Sequence, residues 1–433
     1  MSLVVGIGDV PAHWRVERAK WMLARRRRPV NTDDGVVTAF RDGQVTLRTN
    51  RRTEGFTNAI QEIGYQGIRR GDLVVHGMDA FAGAIGVSDS DGKASPVVHA
   101  YRAEPHVCVQ YVAYVLRTLA VNGYIQTLAK GIRERSTSFD PATLAGVELP
   151  LPTLEEQRRI ADFLDAETSR IDRITVLRQR TAELIRERCD TRLDELVRGA
   201  GSAETVPAEF AALGRVPRSW KQARLRSVEC EVQTGPFGSQ LHADDYVDDQ
   251  WPVVNPANIT PKGLVADPKV TVTEEMRERL GRHVLREGDV VFGRRGELGR
   301  AAVVSARECG WLCGTGSLRL RFRTASFEPR YLHRYLQIPA VRHYFLLHAV
   351  GTTMANLNSS ILLSMPLLLP SISEQRSIAA ECDVVEEHSN AHAALYKQQL
   401  KLLSERRQAL ITAAVTGQFD VSTASGRNTT QGV

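Results

Sequence analysis

Two stretches of the chain place apolar residues at the three- and four-residue spacing of an amphipathic helix, among residues that are mostly charged or polar. The first stretch covers positions 160–185 and the second covers positions 378–410, and neither contains a proline. We therefore predict two helices of about 40 residues, each roughly 60 Å long at about 1.5 Å per residue.

Both predicted helices carry start and stop signals. Residues 153–156 and 371–374 read Thr-x-x-Glu and Ser-x-x-Glu. In this capping-box pattern the hydroxyl and the Glu carboxylate each accept a hydrogen bond from a free backbone N–H. Gly199 and Gly417 stand where the glycine that ends a helix is expected.

A narrow apolar stripe on so long a charged helix needs a partner, and we expect that partner to be the sister helix. The alternative is that each helix packs on its own domain. The residues predicted to face the sister helix are Ile160, Leu164, Ile171, Ile174 and Leu177 in the first helix and Ile378, Val385, Leu395 and Leu402 in the second.

Outside the helices the pattern favours short strands. Residues 36–48 predict a hairpin that turns at Asp42-Gly43. The other predicted strands are 71–76, 288–292, 301–304 and 318–322, and short helices are expected at 109–119 and 329–336. The polar residues after about 421 are expected to be disordered.

The chain also repeats itself. Gly-x-Val-Pro-x-x-Trp occurs at 8–14 and again at 214–220, and the segment 149–199 matches 367–417 without a gap. The Gly-Asp strand start at 71–72 recurs at 288–289. These matches predict two half-chains in tandem, each with a variable globular part followed by a long helix.

The composition fits a folded chain of two or three domains. The 433 residues are 42% hydrophobic and 24% charged, which excludes a mostly disordered or fibrous protein. No apolar run approaches the roughly 18 residues of a membrane span. The first residues lack the features of a signal peptide, so we expect a cytoplasmic protein.

The basic residues are unusual because most of them are Arg, whereas their excess over the acidic residues is small. Lys and Arg together number 56 against 50 Asp and Glu, a net charge of +6, and 48 of the 56 are Arg. The planar Arg fork suits phosphates and guanine edges. GC-rich codon usage explains the same bias equally well.

The sequence offers no metal or catalytic signature. Cys309 and Cys313 form the only close pair among six cysteines, so buried free thiols are expected and no metal site. Residues 86–94 fall short of a phosphate-binding loop, and 255–258 only faintly match a methyltransferase loop. We therefore predict no catalytic residues. An enzyme with an atypical site and a protein-only coiled-coil adaptor remain alternatives.

Several motifs resemble those of the specificity subunit of type I restriction–modification systems. They are Pro-x-x-Glu-Glu-Gln-Arg-Arg-Ile from Pro152 with its echo from Pro370, the helix end 402–421, the Val-Pro-x-x-Trp start of each half, and the segments 234–241 and 288–299. The first helix end departs from this pattern, since Arg188-Cys-Asp-Thr-Arg stands against Arg406-Arg-Gln-Ala-Leu.

The resemblance implies an α+β fold with two mixed α/β target-recognition domains in tandem, separated by two long antiparallel helices that form a coiled coil with approximate two-fold symmetry. The implied boundaries are 1–151 for the first recognition domain, 152–200 for the central helix, 201–369 for the second domain, 370–418 for the C-terminal helix and 419–433 for a disordered tail.

The resemblance also implies a non-catalytic subunit that recognises a bipartite target in double-stranded DNA. Such a subunit holds two methyltransferase (modification) subunits, onto which the restriction (translocase–nuclease) subunits assemble. No cofactor is expected in this chain, because S-adenosylmethionine, ATP and magnesium belong to those partners.

Arg residues and glycine-rich loops are the best candidates for contacting phosphates and base edges. In the first half the candidates are Arg25, Arg26, Arg27, Arg28, Arg51, Arg52 and His76. In the second half they are Gly235, Phe237, Gly238, Ser239, Gln240, Arg294 and Arg295. Among them, Gln240 is a candidate for reading adenine. Ordinary turns and solvated charges are the alternatives for the loops and the arginines, and a place in the core is the favoured alternative for His76.

Four polar residues near the helix starts are candidates for docking a partner. They are Gln157, Arg158, Gln375 and Arg376. The alternative is that these residues bridge each helix to its own domain.

Overall fold

The computed structural model describes residues 2–31, 33–51, 63–129, 138–260, 263–349, 356–419 and 421. The chain divides into two compact units. Unit 1 consists of Met1–Gln179 with Lys397–Val433, and unit 2 consists of Arg180–Tyr396. The divisions fall inside the two long helices, so each helix contributes one end to each unit. In the described residues, no helix is both long and apolar enough to cross a membrane.

Unit 1 is built from short strands and helices. Its strands are β1 (Ser2–Val4), β2 (Gly8–Val10), β3 (Arg15–Arg18), β4 (Leu23–Arg26), β5 (Val37–Ala39), β6 (Val45–Leu47), β7 (Gln66–Ile68), β8 (Leu73–His76), β9 (Ile85–Val87), β10 (Gly92–Ala94), β11 (Val98–Ala103) and β12 (Glu148–Leu151). Its helices are α1 (Ala19–Met22), α2 (Val109–Val121), α3 (Tyr124–Leu128), α4 (Pro141–Gly146) and the first part of α5 (Leu154–Arg198).

An antiparallel four-stranded sheet of order β4-β11-β8-β9 forms the centre of unit 1. Beside it, β3 pairs antiparallel with β12, which leads directly into α5. The predicted hairpin is confirmed, because β5 and β6 pair antiparallel and Gly43 adopts φ +89° between them. Only glycine enters that left-handed region without strain.

Unit 2 repeats this plan with different lengths. Its strands are β13 (Thr205–Pro207), β14 (Arg215–Pro217), β15 (Lys221–Arg224), β16 (Cys230–Thr234), β17 (Trp251–Val254), β18 (Ile259–Thr260), β19 (Gly263–Leu264), β20 (Thr271–Val272), β21 (Val290–Gly293), β22 (Ala301–Val303), β23 (Leu312–Cys313), β24 (Ser317–Phe322) and β25 (Pro366–Leu369). Its helices are α6 (Glu274–Arg279), α7 (Pro329–Gln337), α8 (Pro339–Ala349), α9 (Ser359–Leu363) and the first part of α10 (Ile372–Val415).

The two central sheets have the same strand order and the same antiparallel pairing. In unit 2 the order is β16-β24-β21-β22, and β15 pairs with β25 just before α10, as β3 pairs with β12 before α5. Unit 2 adds a second sheet, β20-β17-β23, in which β17 and β23 run parallel. The tandem repeat predicted from the sequence is thus a repeat of architecture.

The long helices end inside the cores of the units. In unit 1, Leu164 near the start of α5 shares one core with Ile411 and Val415 near the end of α10. In unit 2, Val197 near the end of α5 shares one core with Cys382 of α10. Burial of these apolar side chains, about 1.5–3 kcal/mol each, ties opposite ends of the two helices to each sheet.

The Val-Pro-x-x-Trp motif explains how each unit holds a helix start. Trp14 Nε1 donates to Glu156 Oε1 at 3.0 Å in unit 1, and Trp220 Nε1 donates to Glu374 Oε1 at 3.3 Å in unit 2. The same indole ring covers a helix end, because a Cβ on Gly417 would lie 3.1 Å from the Trp14 ring.

The two helix starts are capped differently. Ser371 and Glu374 form the complete predicted box, since the Ser371 N–H donates to Glu374 Oε2 at 2.9 Å and the Glu374 N–H donates to Ser371 Oγ at 3.3 Å. At the first helix the Glu156 N–H donates to Thr153 Oγ1 at 3.3 Å. Among the described residues no return bond from Thr153 to Glu156 is found, so the expectation of a full box there is wrong.

The predicted apolar stripe is buried only near the helix ends. Ile160, Leu164 and Ile171 are buried. Ile174, Ile378 and Val385 are half-buried. Three residues assigned to the helix–helix contact are exposed: Leu177 to 66%, Leu395 to 49% and Leu402 to 54%. The expectation of a continuously buried stripe is therefore wrong for the middle of the helices.

The cysteines are more varied than predicted. Cys313 and Cys382 are buried free thiols, and burial raises their pKa values to about 12 and about 11. Cys309 is exposed, contrary to the expectation of burial, because it ends a surface turn just before β23. In the part of the chain that is described, no group of three or more His, Cys, Asp or Glu is arranged to hold a metal ion.

Candidate nucleic-acid interface

A cleft of about 730 Å³ opens in unit 2 where β16 and β21 end. Two of the predicted loops, 235–240 and 294–295, border it from different strands. Its lining residues are Thr234, Phe237, Pro256, Arg294, Arg295, Thr315, Gly316 and Asn356. The cleft combines two cations with one aromatic ring, which suits contact with a nucleic acid.

The loop after β16 depends on its glycines. A Cβ on Gly235 would lie 1.8 Å from the Gly314 carbonyl oxygen, so only glycine fits there. Gly238 adopts φ +61°. Between them Phe237 is 60% exposed. The loop therefore presents an aromatic ring from a tightly fixed backbone. The side chain of Ser239 lies outside the described part of the structure.

Gln240 does not present its amide as predicted. Its Oε1 atom is buried and has no hydrogen-bond partner among the described residues. Recognition of adenine by Gln needs both the amide oxygen and the amide nitrogen. Because the oxygen faces inward, the structure disfavours the predicted adenine contact in this conformation.

The two arginines after β21 differ in their exposure and in their bonding. Arg294 is half-buried, and its Nε donates to the Leu357 carbonyl oxygen at 3.3 Å. Arg295 is exposed, and no ion pair of its guanidinium occurs among the described residues. Arg294 thus helps to hold the wall of the cleft, and Arg295 is the better candidate for a ligand contact.

In unit 1 the basic run begins on β4, the edge strand of the described four-stranded sheet, and continues directly after it. Arg25, Arg26 and Arg27 are all exposed. Arg25 Nη2 lies 3.5 Å from His99 Nδ1 on the neighbouring strand. Burial, and after it the charge of Arg25, lowers the pKa of His99 to about 4. His99 is therefore neutral near pH 7, and the positive charge of this edge comes from the arginines.

For Arg28 the structure favours a structural role over the predicted DNA contact. Its guanidinium forms a two-bond ion pair with Asp72, whose carboxylate is almost fully buried. The pKa of Arg28 is raised, first because its side chain donates to Asp72. In unit 2 the corresponding Asp289 also forms a two-bond pair with an arginine, Arg321 of β24.

The second basic cluster of unit 1 is only partly described. Arg51 pairs with Asp42 at 2.6 Å, and its guanidinium lies over the Phe40 ring, 4.2 Å from the ring centre. These contacts anchor the hairpin of β5 and β6, so Arg51 is less available than predicted. Arg52 lies outside the described residues.

His76 is held inside the turn after β8. Its Nδ1 accepts from the Asp79 N–H at 3.1 Å, and burial lowers its pKa despite the opposing effect of Asp79. The imidazole is therefore neutral near pH 7 and closes the turn. This geometry favours the structural alternative for His76.

Gln157 and Gln375 are not on outer faces of the helices, as predicted for partner docking. Gln157 is completely buried, accepts from the Cys108 N–H at 2.8 Å and donates to the carbonyls of His106 and Pro152. Gln375 is 2% exposed and makes the equivalent bonds to Glu328 and Pro370. Both residues bridge helix and domain.

Arg158 and Arg376, the neighbours of these glutamines, are exposed. Arg376 Nε lies 3.7 Å from Glu328 Oε2. These two arginines therefore remain candidates for partner docking, whereas the two buried glutamines do not.

Residues 217–401, which contain the whole cleft, match the family described as type I restriction modification DNA specificity domain. The matched part of the chain resembles a type I specificity domain. The family resemblance seen in the sequence is confirmed, and the specificity domain includes β16, β21 and the start of α10.

Solved structures resemble nearly the whole chain. A chain from a study of complex assembly and conformational transition of the type I R-M system matches with a TM-score of 0.70 and 21% identity, covering 95% of this chain and 100% of that chain. The HsdS subunit from Thermoanaerobacter tengcongensis matches with a TM-score of 0.56 and 21% identity, covering 95% and 98%. These likenesses show that the fold extends beyond the specificity domain to unit 1.

Sequence reasoning missed part of the cleft. Thr315 and Gly316, just before β24, and Asn356, just before α9, carry no motif of their own. Pro256 belongs to the segment that faintly matched a methyltransferase loop, and here that segment is a turn closed by Asn258 Oδ1 on the Asn255 N–H. Pairing of β21 with β24 brings Thr315 and Gly316 to the cleft, and the bond from the Leu357 N–H to the Arg294 carbonyl brings Asn356 there. These contacts join distant parts of the chain, so no local pattern would have located them.

Proposed function

We propose that this chain is the DNA-reading, non-catalytic subunit of a type I restriction–modification complex. Unit 1 and unit 2 each read one half of a bipartite target in double-stranded DNA. The observation that carries the proposal is the pair of units with one sheet register and different residues at the equivalent surface. Two units that share a fold but differ in their surface residues can recognise two different half-sites.

Unit 2 supplies the clearest DNA-binding surface. Arg295 is exposed beside a cleft that also holds the exposed ring of Phe237. Arg binds phosphate or the O6 and N7 edge of guanine, and an exposed ring packs against apolar parts of a base. Affinity is therefore expected to fall steeply with salt, with a slope set by the number of phosphates contacted.

The middle of the long helices supports a protein partner. Exposed apolar side chains recur there, which on a helix surface favours association with another protein. They are Val176, Leu177, Leu184, Val384, Leu395 and Leu402. The partners we propose are two methyltransferase subunits, with the restriction subunits assembling on them. S-adenosylmethionine, ATP and magnesium are then bound by those partners and not by this chain.

We propose that the length of the two long helices determines the length of the spacer between the half-sites. α5 and α10 contain 45 and 44 residues, or roughly 65 Å each at about 1.5 Å per residue. Half-sites read on one face of DNA lie about one helical turn, roughly 34 Å, apart. We propose an unread spacer of that order between the half-sites.

The test of the assignment is a comparison of the chain alone with the chain plus its methyltransferase. Alone, with S-adenosylmethionine or with magnesium, it is expected neither to methylate nor to cleave DNA. With the partner, sequencing of modified bases is expected to reveal one bipartite motif. Activity of the isolated chain would contradict the proposal in favour of an atypical enzyme.

Gel shifts of the complex across a salt series separate the proposal from a protein-only adaptor. Binding that weakens as salt rises supports a DNA reader, whereas salt-independent assembly without DNA binding supports the adaptor. The spacer has its own test. Removing about one helical turn, four residues, from the middle of both α5 and α10 is expected to change the spacer and to leave both half-sites intact.

A further inference from the structure

The turn that carries Arg294 and Arg295 is fixed by backbone hydrogen bonds on both sides. The Arg294 N–H donates to the Gly316 carbonyl at 2.9 Å, and the Leu357 N–H donates to the Arg294 carbonyl at 2.8 Å. The side chain that follows, Arg295, is thereby directed by the end of the β21–β24 pair.

Unit 1 builds the same turn from different residues. The Gly77 N–H donates to the Val97 carbonyl at 2.7 Å, and the Phe139 N–H donates to the Gly77 carbonyl at 2.8 Å. The strand registers agree with this match, because His76 pairs with Val98 as Gly293 pairs with Ser317.

The match makes Met78 the counterpart of Arg295 and Val97 the counterpart of Gly316. Met78 is 38% exposed and Val97 is 36% exposed. At the position where unit 2 has the Arg295 guanidinium and the backbone of Gly316, unit 1 has two apolar side chains. The two surfaces therefore differ in chemistry and not only in shape.

The positive charges are also distributed differently. In unit 1 the exposed Arg25 and Arg26 lie on the edge strand β4, and the exposed Arg27 comes directly after it. The matching edge strand of unit 2, β16, has Glu231 as its only charged residue. Unit 1 thus separates an arginine edge suited to phosphates from an apolar centre, whereas unit 2 places its cation at the centre.

The acidic neighbour of Met78 does not oppose DNA binding. Asp79 pairs with Arg41 at 2.8 Å and also faces the ring of His76. Its charge is therefore largely balanced within unit 1.

Apolar side chains have one distinctive partner on base edges, the C5-methyl group of thymine, whereas Arg has guanine. We propose that unit 1 reads thymine methyl groups through Met78 and Val97, while unit 2 reads guanine through Arg295. The inference rests on the proposed function and adds which bases each half-site contains.

The test uses the full chain assembled with its methyltransferase. Sequencing of modified bases first gives the two half-sites. Met78→Ala and Arg295→Ala are then expected to relax one half-site each, and this assigns each half-site to its unit. The unit 1 half-site is expected to contain thymine at the relaxed position, and the unit 2 half-site guanine.

Modified duplexes then probe the contacts directly. Replacing thymine by deoxyuridine in the unit 1 half-site removes only the methyl group and is expected to weaken binding about threefold. Replacing guanine by 7-deazaguanine in the unit 2 half-site is expected to weaken binding about tenfold. The complex of the double variant Met78→Ala/Val97→Ala is expected to be insensitive to deoxyuridine, and the Arg295→Ala complex to 7-deazaguanine.

Val121→Ala is the matched control, because Val121 is an apolar residue of unit 1 that is 59% exposed at the end of α2. It is expected to leave both half-sites and both sensitivities unchanged. Wild-type binding that ignores deoxyuridine, or relaxed positions without thymine and guanine, would overturn the inference while a bipartite motif still upheld the proposed function. Loss of any chain-dependent methylation motif would instead overturn the proposed function.

Discussion

Single buried polar residues hold the long helices to the units. Gln157 satisfies one N–H and two carbonyls of the neighbouring loops, and Gln375 does the same in unit 2 for one N–H and one carbonyl. A buried backbone group that loses its partner costs about 1–3 kcal/mol. These two buried amides therefore contribute more to the stability of the fold than the exposed charges beside them.

Replacing either glutamine by leucine is expected to destabilise its own unit by at least about 1–3 kcal/mol, because backbone groups lose their partners. Urea denaturation of Gln157→Leu and Gln375→Leu measures this. Arg158→Ala and Arg376→Ala are the controls and are expected to change stability by about 0.5 kcal/mol or less. A stable Gln157→Leu protein that failed to bind the methyltransferase would restore the docking role.

Gly235→Ala tests the close backbone approach beside the cleft. The added Cβ would meet the Gly314 carbonyl oxygen at 1.8 Å, so the loop must shift. We expect a loss of about 1–3 kcal/mol, typical of overpacking, and weaker DNA binding by the complex. Gly281→Ala, where a Cβ meets nothing within 4 Å, is the control in a parallel urea titration. Equal midpoints for the two variants would contradict the prediction.

At the scale of elements, the two long helices differ mainly in how they begin. α10 starts with a complete box between Ser371 and Glu374, whereas at the start of α5 only the bond from the Glu156 N–H to Thr153 is made among the described residues. The pKa of Glu374 lies below its ordinary value, first because the Ser371 hydroxyl donates to the carboxylate and then because the Ser371 N–H does.

The cap of α10 is expected to weaken in acid. A carboxyl group whose folded pKa is depressed contributes stability above its unfolded pKa of 4.5, and this contribution is lost as pH falls through the folded pKa. Stability measured from about pH 6 to about pH 3 should therefore fall less steeply in Glu374→Gln than in the wild type. Glu387→Gln, an exposed change on the same helix, should retain the wild-type slope.

The elements were easier to predict than their contacts. The long helices and the 36–48 hairpin follow from local spacing and turn chemistry, which one sequence displays. The exposure of Leu177, Leu395 and Leu402 does not, because an apolar stripe looks the same whether its partner belongs to this chain or to another. The burial of Gln157 does not follow either, because the polarity of a side chain does not show whether its hydrogen bonds are made to backbone groups inside the protein.

At the scale of the whole molecule, the two units differ in how the chain closes them. Unit 2 is one continuous segment, Arg180–Tyr396, whereas unit 1 combines Met1–Gln179 with Lys397–Val433. Ile411, Ala414 and Val415 complete the core of unit 1 beside Leu164. The stability of the first half therefore depends on the last part of the chain.

Truncation after Tyr396 is expected to destabilise unit 1 selectively. The deletion strips Ile411 and Val415 from its core, and each buried apolar side chain contributes about 1.5–3 kcal/mol. Hydrogen exchange should quicken in α2 and β12 and stay slow in β21 and β24. Truncation after Val421 is the control and should leave both patterns unchanged. Equal protection of α2 in the two truncated proteins would contradict this dependence.

The divided unit 1 has a consequence for synthesis on the ribosome. Translation proceeds from the N-terminus, so the segment that is made later, unit 2, has all its residues while unit 1 still lacks its closing helix end. The apolar side chains around Leu164 then remain without the end of α10 while more than two hundred further codons are translated. A chaperone that shields nascent chains would be needed most at the first half of this protein, and only until the final helix emerges.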